Sequence, residues 1–143
     1  MNEFFGIANL AVLPAWLLLA FAPRWKWTER LVLSGVWSLA MSVVYLLLVV
    51  RWMPGANGGF SSLEQVRSFF MSDGLLLAGW THYLAFDLLI GVFEVRQARE
   101  HSIPHLLVVP CLALTLYLGP IGFLLFFIVK SIRLKRVAEV GPR

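Results

Sequence analysis

Four long apolar runs dominate this sequence and leave such a chain few ways to fold. A helix needs about 20 mostly apolar residues to cross ~30 Å of hydrocarbon at ~1.5 Å per residue. Runs over about 4–22, 31–50, 74–95 and 105–129 meet that length, and the first two carry no charge. Composition agrees: 59% of the residues are hydrophobic, 14% are charged, and the mean hydropathy is +0.79. Soluble domains average about 45–50% apolar and about 25% charged residues. A disordered tail, a disulfide-stapled secreted module and a soluble nucleotide-binding enzyme are excluded, because each needs polar surface that is missing. The expected architecture is all-α: one domain over 1–143, an integral membrane four-helix bundle with a short interfacial amphipathic helix between spans two and three.

The first run ends in Pro23-Arg24-Trp25-Lys26-Trp27, an interfacial collar of aromatics and bases. Ala20-Phe21-Ala22 has the look of a signal-peptide cleavage site. Against cleavage stand the absence of a basic segment before the run and Pro23 just after the cut, so an uncleaved span is expected. Four spans would put both termini on one face. Arg51, Arg67, Lys130, Arg133, Lys135, Arg136 and Arg143 would share that face, against Arg24, Lys26, Arg30, Arg96 and Arg99 opposite. The balance favours cytoplasmic termini. The same distribution reads the net charge of +4 as a topology signal rather than a nucleic-acid surface. Cys111 is the one cysteine, which rules out an intramolecular disulfide and a Cys-x-x-Cys motif.

Pro54-Gly55-Ala56-Asn57-Gly58-Gly59 is turn-rich. After it, Ser61 with Glu64 has capping-box spacing, and Leu63, Val66, Phe69 and Phe70 recur at helical intervals. This is the expected interfacial helix, docked on the bundle or serving as a substrate gate.

Ionisable residues near mid-membrane are costly and mark functional positions. The third run centres near Ala85, so His82 and Asp87 lie within about one turn of the midplane, whereas Glu94 reads as interfacial. His82 and Asp87 are about 140° apart around a helix and about 7.5 Å apart along it, too far to pair directly. Trp80, Tyr83, Gly91 and Glu94 share the Asp87 face and form a half-polar stripe expected to point inward. His82 aligns instead with Gly79 and Phe86. Asn9, Thr115 and Tyr117 are further candidates for an internal cavity. A structural role competes throughout, since such groups also serve as interhelical hydrogen-bonding contacts worth about 0.6 kcal/mol. Ser34, Ser38 and Ser42, with Gly35, form a small-residue stripe read as packing. Gly119-Pro120-Ile121-Gly122, with Pro110 upstream, predicts a kinked or locally unwound fourth helix. His101 and His105 have helical ligand spacing, but Pro104 interrupts it and no carboxylate accompanies them, so no metal site is expected.

Gly79-Trp80-Thr81-His82-Tyr83-Leu84-Ala85-Phe86-Asp87-Leu88-Leu89-Ile90-Gly91 resembles the signature of the abscisic-acid-deficient-four-like family, small membrane proteins of plastids and bacteria. Pro110 to Leu116 followed by Gly119-Pro120-Ile121-Gly122 is similar to the family's last helix. Ala8-Asn9, Leu13-Pro14-Ala15-Trp16 and Ala22-Pro23 are similar to its first. In plants the family is tied to conversion of the epoxy-carotenoid violaxanthin to the allenic neoxanthin. The resemblance implies a carotenoid isomerase without metal or redox cofactor, with Asp87 as acid and His82 as base. Trp80, Tyr83, Phe86, Asn9, Trp16 and Thr115 would bind an elongated apolar ligand such as a carotenoid. The short chain without a transit peptide implies a bacterial-type member in an inner membrane, with membrane lipid and a homo-oligomer as open partners. A non-catalytic carotenoid-binding or assembly subunit is the alternative. A proton or small-solute transporter is a third reading, for which four short helices are few.

Overall fold

The computed structural model describes residues 1–134 and is all-α. Helix α1 spans Asn2–Phe21, and a π-helical segment over Thr28–Leu33 leads into α2, Val36–Trp52. A short α3, Leu63–Phe70, precedes the 28-residue α4, Asp73–Glu100, and then come α5, His105–Leu118, and α6, Pro120–Leu134. Helices α1 and α4 are long and apolar enough to cross a membrane. Together they support an integral membrane protein, and large apolar side chains such as Leu10, Phe21, Leu39 and Leu106 cover its outer surface.

α4 is the central column. Near its start the ring of Trp52 occupies the space beside Gly74, and near its end Arg96 donates to the Leu33 carbonyl. α2 with its π-helical lead-in therefore runs antiparallel to α4 over most of its length. The second expected span, 31–50, is broken at Ser34-Gly35, where Gly35 has φ +86° and starts α2. α1 runs parallel to α4: Phe5 meets Trp80 near one end, and Trp16 lies against Gly91 further along. The core joins Val12, Ala15, Trp16 and Leu19 of α1 to Leu84, Leu88, Val92 and Val95 of α4.

The four-helix bundle needs correction at its last member, because 105–129 is not one pass. α5 returns from the end of α4, and Gly119, at φ +50°, reverses the chain. Pro120 opens α6 where a missing amide costs nothing. A Cβ on Gly122 would overlap the backbone and hydroxyl of Thr115, so only glycine lets the two helices touch. α6 then climbs back along α4, with Phe123 and Phe126 against Phe93 and Lys130 beside Gln97. The helices have 14 and 15 residues, about 21–23 Å each, and form a hairpin whose tip stops at Asp87, the middle of α4. Backbone irregularity at this depth is tolerated where protein buries it. Here the Gly119 amide donates to Thr115 O at 2.9 Å and Gly122 to Gly119 O at 3.0 Å.

The described residues thus begin on one face of the molecule and end on the other, not on one face as four passes require. Arg24, Lys26, Arg30, Arg96, Arg99 and Arg133 gather on the face where α4 ends, against Arg51 and Arg67 on the face where it begins. Lys135, Arg136 and Arg143, which entered the expected charge balance, lie outside the described residues. α3 exists as a helix, but its N-cap is Ser62 rather than Ser61, with Gln65 N donating to Ser62 Oγ at 3.2 Å.

Candidate functional site: a groove above a buried carboxylate seam

Because the hairpin covers only the second half of α4, the first half is packed by α1, α2 and α3 alone. A groove of about 520 Å³ opens there, lined by Phe5, Phe70, Leu76, Leu77, Trp80 and Tyr83 among others. That volume lies within the ~300–1,000 Å³ typical of ligand pockets. Trp80 stacks on Tyr83 and tilts against Phe5, each pair of centroids 5.3 Å apart. Asn9 does not line the groove; its Oδ1 accepts from Trp80 Nε1 at 3.0 Å while its Nδ2 donates to Phe5 O at 2.9 Å. The amide therefore sets the angle of the indole.

One turn beyond Tyr83, on the same face of α4, lies Asp87. Asp87 is 8% exposed, and its Oδ2 has no hydrogen-bond partner. Its other oxygen faces the hairpin tip at Gly119. Two turns further along α4, Glu94 is fully buried and accepts from Thr115 Oγ1 at 2.8 Å, leaving its Oε2 without a partner. Beyond it Lys130 donates to Gln97 Oε1, and Gln97 donates to Glu100 Oε2 at 2.9 Å. Asp87, Glu94 and Gln97 thus make one polar seam between α4 and the hairpin. It runs from the groove toward the basic face.

The expectation that Glu94 is interfacial is corrected here. α4 continues to Glu100, and the hairpin shields the Glu94 side from lipid and water. Thr115 belongs to the seam and not to the groove. Trp16 is a core residue, 4% exposed, and its ring fills the space that Gly91 leaves, with Cζ3 2.8 Å from where a Cβ would stand.

Asp87 and His82, paired in one reaction by the sequence reading, point to different sides of α4. His82 stacks on the exposed Phe86 at 4.5 Å and tilts against Tyr45 of α2 at 5.3 Å. It lines a second groove of about 300 Å³ with Tyr45, Val49, Phe60 and Phe69. Both grooves are bounded by Phe70 and Gly79, and a Cβ on Gly79 would stand 2.8 Å from Phe70 Cε1. The Phe70 ring is the partition between them. Gln97, Lys130, Phe5 and Phe70 are site residues that sequence reasoning passed over. Among the described residues no group of three or more His, Cys, Asp or Glu is arranged to hold a metal ion. His105 instead donates through Nε2 to Ala20 O at 2.9 Å.

An all-helical membrane protein with an intramembrane carboxylate seam beneath an aromatic groove is the class this geometry defines. Within that class, the chain belongs to the ABA DEFICIENT 4-like family, whose profile matches residues 3–126. It is similar to the chloroplastic protein ABA DEFICIENT 4 of Arabidopsis thaliana, with 28% identity over 140 residues. The alignment covers 92% of this chain and 62% of the relative, so the chain spans less than two thirds of that relative's length. No solved structure matches the chain.

Proposed function

We propose that this chain is a membrane protein of carotenoid metabolism that isomerises an epoxy-carotenoid to an allenic carotenoid. The observation that carries this reading is the Tyr83 phenol, which faces an apolar aromatic groove and is backed by a mid-membrane carboxyl group. The groove follows α4 from Asp73 to Tyr83, about 15 Å, long enough for one end of a polyene while the rest lies in the bilayer. The epoxide oxygen takes the phenol proton as its bond to the carbon beside the polyene breaks, leaving a cation spread over the polyene. The Tyr83 phenolate then removes the proton from the adjacent chain carbon, and that C–H electron pair becomes the second double bond of the allene. The oxygen stays on the neighbouring ring carbon as a hydroxyl, and the phenol is restored without net oxidation or reduction. Asp87, in its protonated form, acts through Tyr83 by donating its O–H to the phenolate. His82 has no part in this chemistry, because it opens onto the other groove.

The test is expression in cells that make an epoxy-carotenoid, with chromatography of their pigments. Wild type should yield the allenic isomer, Tyr83→Phe none, and Asp87→Leu roughly 10²–10³-fold less, the usual cost of losing an oxyanion donor. His82→Ala should retain turnover. Full turnover in Tyr83→Phe would sink this assignment, and its loss only in His82→Ala would move the chemistry to the second groove. The contiguous rings of Phe5, Trp80 and Tyr83 favour one rival, a subunit that holds pigment without altering it. Stoichiometric, unchanged carotenoid on the purified protein would select it.

A further inference from the structure

A second large cavity, of about 560 Å³, lies on the basic face, far from the groove. It is walled by Pro23 and Arg24 at the end of α1, Glu29 of the π-helical segment, Arg99 of α4, Ser102, and His105 at the start of α5. We propose that this cavity is a binding site for a phosphate group, supplied by the headgroup of an anionic phospholipid.

Four independent features converge on that chemistry. Arg99 is already fixed, with Nη1 donating to Glu29 Oε1 at 3.0 Å and Nη2 to Pro23 O. A guanidinium has five N–H donors, so an anchored Arg99 still has donors to offer. Arg24 is exposed at the rim and enters no ion pair among the described residues. The N-terminus of α5 carries no side-chain cap, which leaves amide donors and the positive end of the helix dipole at the wall. Ser102 adds a hydroxyl and is the one non-glycine residue with positive φ among the described residues, at +52°.

Depth selects the source of the phosphate. Trp25 and Trp27 are exposed beside the cavity, Arg30 lies 5.9 Å over the Trp27 ring, and such aromatic belts sit at headgroup level. The bond from His105 to Ala20 brings the start of α5 against the end of α1, and the exposed side chains of Phe21 and Leu106 flank that seam. Acyl chains can run down it while the phosphate is held above. Glu29, the acidic wall residue, orients Arg99. Basic pockets between membrane helices recognise anionic headgroups in this way.

The experiment uses the full chain in dodecyl maltoside, stripped of lipid, with phosphatidylglycerol, phosphatidylcholine and inorganic phosphate as separate probes read by native mass spectrometry. Phosphatidylglycerol should be retained in preference to phosphatidylcholine. Arg24→Gln should weaken retention about tenfold, the loss of a charge-assisted contact. Arg24→Lys keeps the charge but not the fork, and should also weaken it. Arg30→Gln, which removes the same charge from the same face outside the cavity, should change it less than about twofold if the site is a built one rather than diffuse attraction. Equal losses in Arg24→Gln and Arg30→Gln, or equal retention of both lipids, overturn the proposal. Binding of inorganic phosphate with the same dependence on Arg24, without preference for phosphatidylglycerol, supports the phosphate site and overturns the lipid as its source.

Discussion

Gly119 and Asp87 meet where the hairpin turns: a methyl group on Gly119 would stand 3.0 Å from Asp87 Oδ1. The residue that reverses the chain is thereby also the residue that seats the mid-membrane acid. Fold and site share one constraint at this point, since a side chain there would be strained at φ +50° and would push the carboxyl group away from the tip.

Gly119→Ala is expected to lower stability by roughly 1–3 kcal/mol, because φ +50° with ψ −104° lies outside the left-handed helical well and is open in practice to glycine alone. Thermal unfolding in detergent measures this. Under the isomerase reading, turnover should fall by more than the lost folded fraction explains, because Asp87 is displaced as well. Unchanged stability would mean that the hairpin does not turn at this glycine.

The hairpin also makes a topological prediction. Single cysteines at Asn57 and Arg133, in a chain with Cys111 replaced by Ala, should be labelled by a membrane-impermeant thiol reagent from opposite sides of sealed vesicles. Four passes would put them on the same side. Cysteines at Lys26 and Arg133 should be labelled together, and the clustering of bases around them predicts that this shared face is cytoplasmic.

Thr115→Val tests the seam. It preserves shape and removes the hydroxyl that donates to Glu94 at 2.8 Å, leaving a fully buried carboxyl group with neither oxygen partnered. A loss of about 1–3 kcal/mol is expected in thermal or denaturant unfolding. Adding Glu94→Leu should recover part of that loss, because removing both partners is cheaper than orphaning one. A double variant no more stable than Thr115→Val would show that Glu94 has other partners.

Parts of this architecture are plain in the sequence, for physical reasons that differ from residue to residue. α1 and α4 are legible because long apolar runs between charged collars have few alternatives in water or lipid. Asp87 is legible because a carboxylate at the centre of such a run is costly wherever it points. The hairpin is not, since α5 and α6 laid end to end have the length and hydropathy of a single span, and Gly119-Pro120 fits a kink as well as a reversal. Glu94 is misplaced for a related reason: with the third run ended at 95 it sits near a helix end, whereas α4 continues to Glu100 and the hairpin encloses it. Lys130 follows an apolar run and so reads as a flanking charge, although it is 1% exposed and bonded to Gln97. Helical angles alone place His82 away from Asp87, and the structure adds that His82 opens onto a groove while Asp87 is buried against the hairpin tip.

The partition at Phe70 yields the last prediction. Its ring occupies the space beside Gly79 that separates the 520 Å³ groove at Trp80 and Tyr83 from the 300 Å³ groove at His82. Phe70→Ala should join them into one passage around α4, lengthening the site by the width of the helix. If the groove receives the end of an elongated polyene, the variant should bind a longer or bulkier end group than wild type accepts. It should also hold its usual ligand less firmly, because the Phe70 wall is gone. Competition binding with a pair of polyenes that differ only in end-group size measures both effects. Loss of affinity for the two ligands by the same factor would show that Phe70 contributes contact area and no selection. Unchanged binding of both would place the ligand outside this groove altogether.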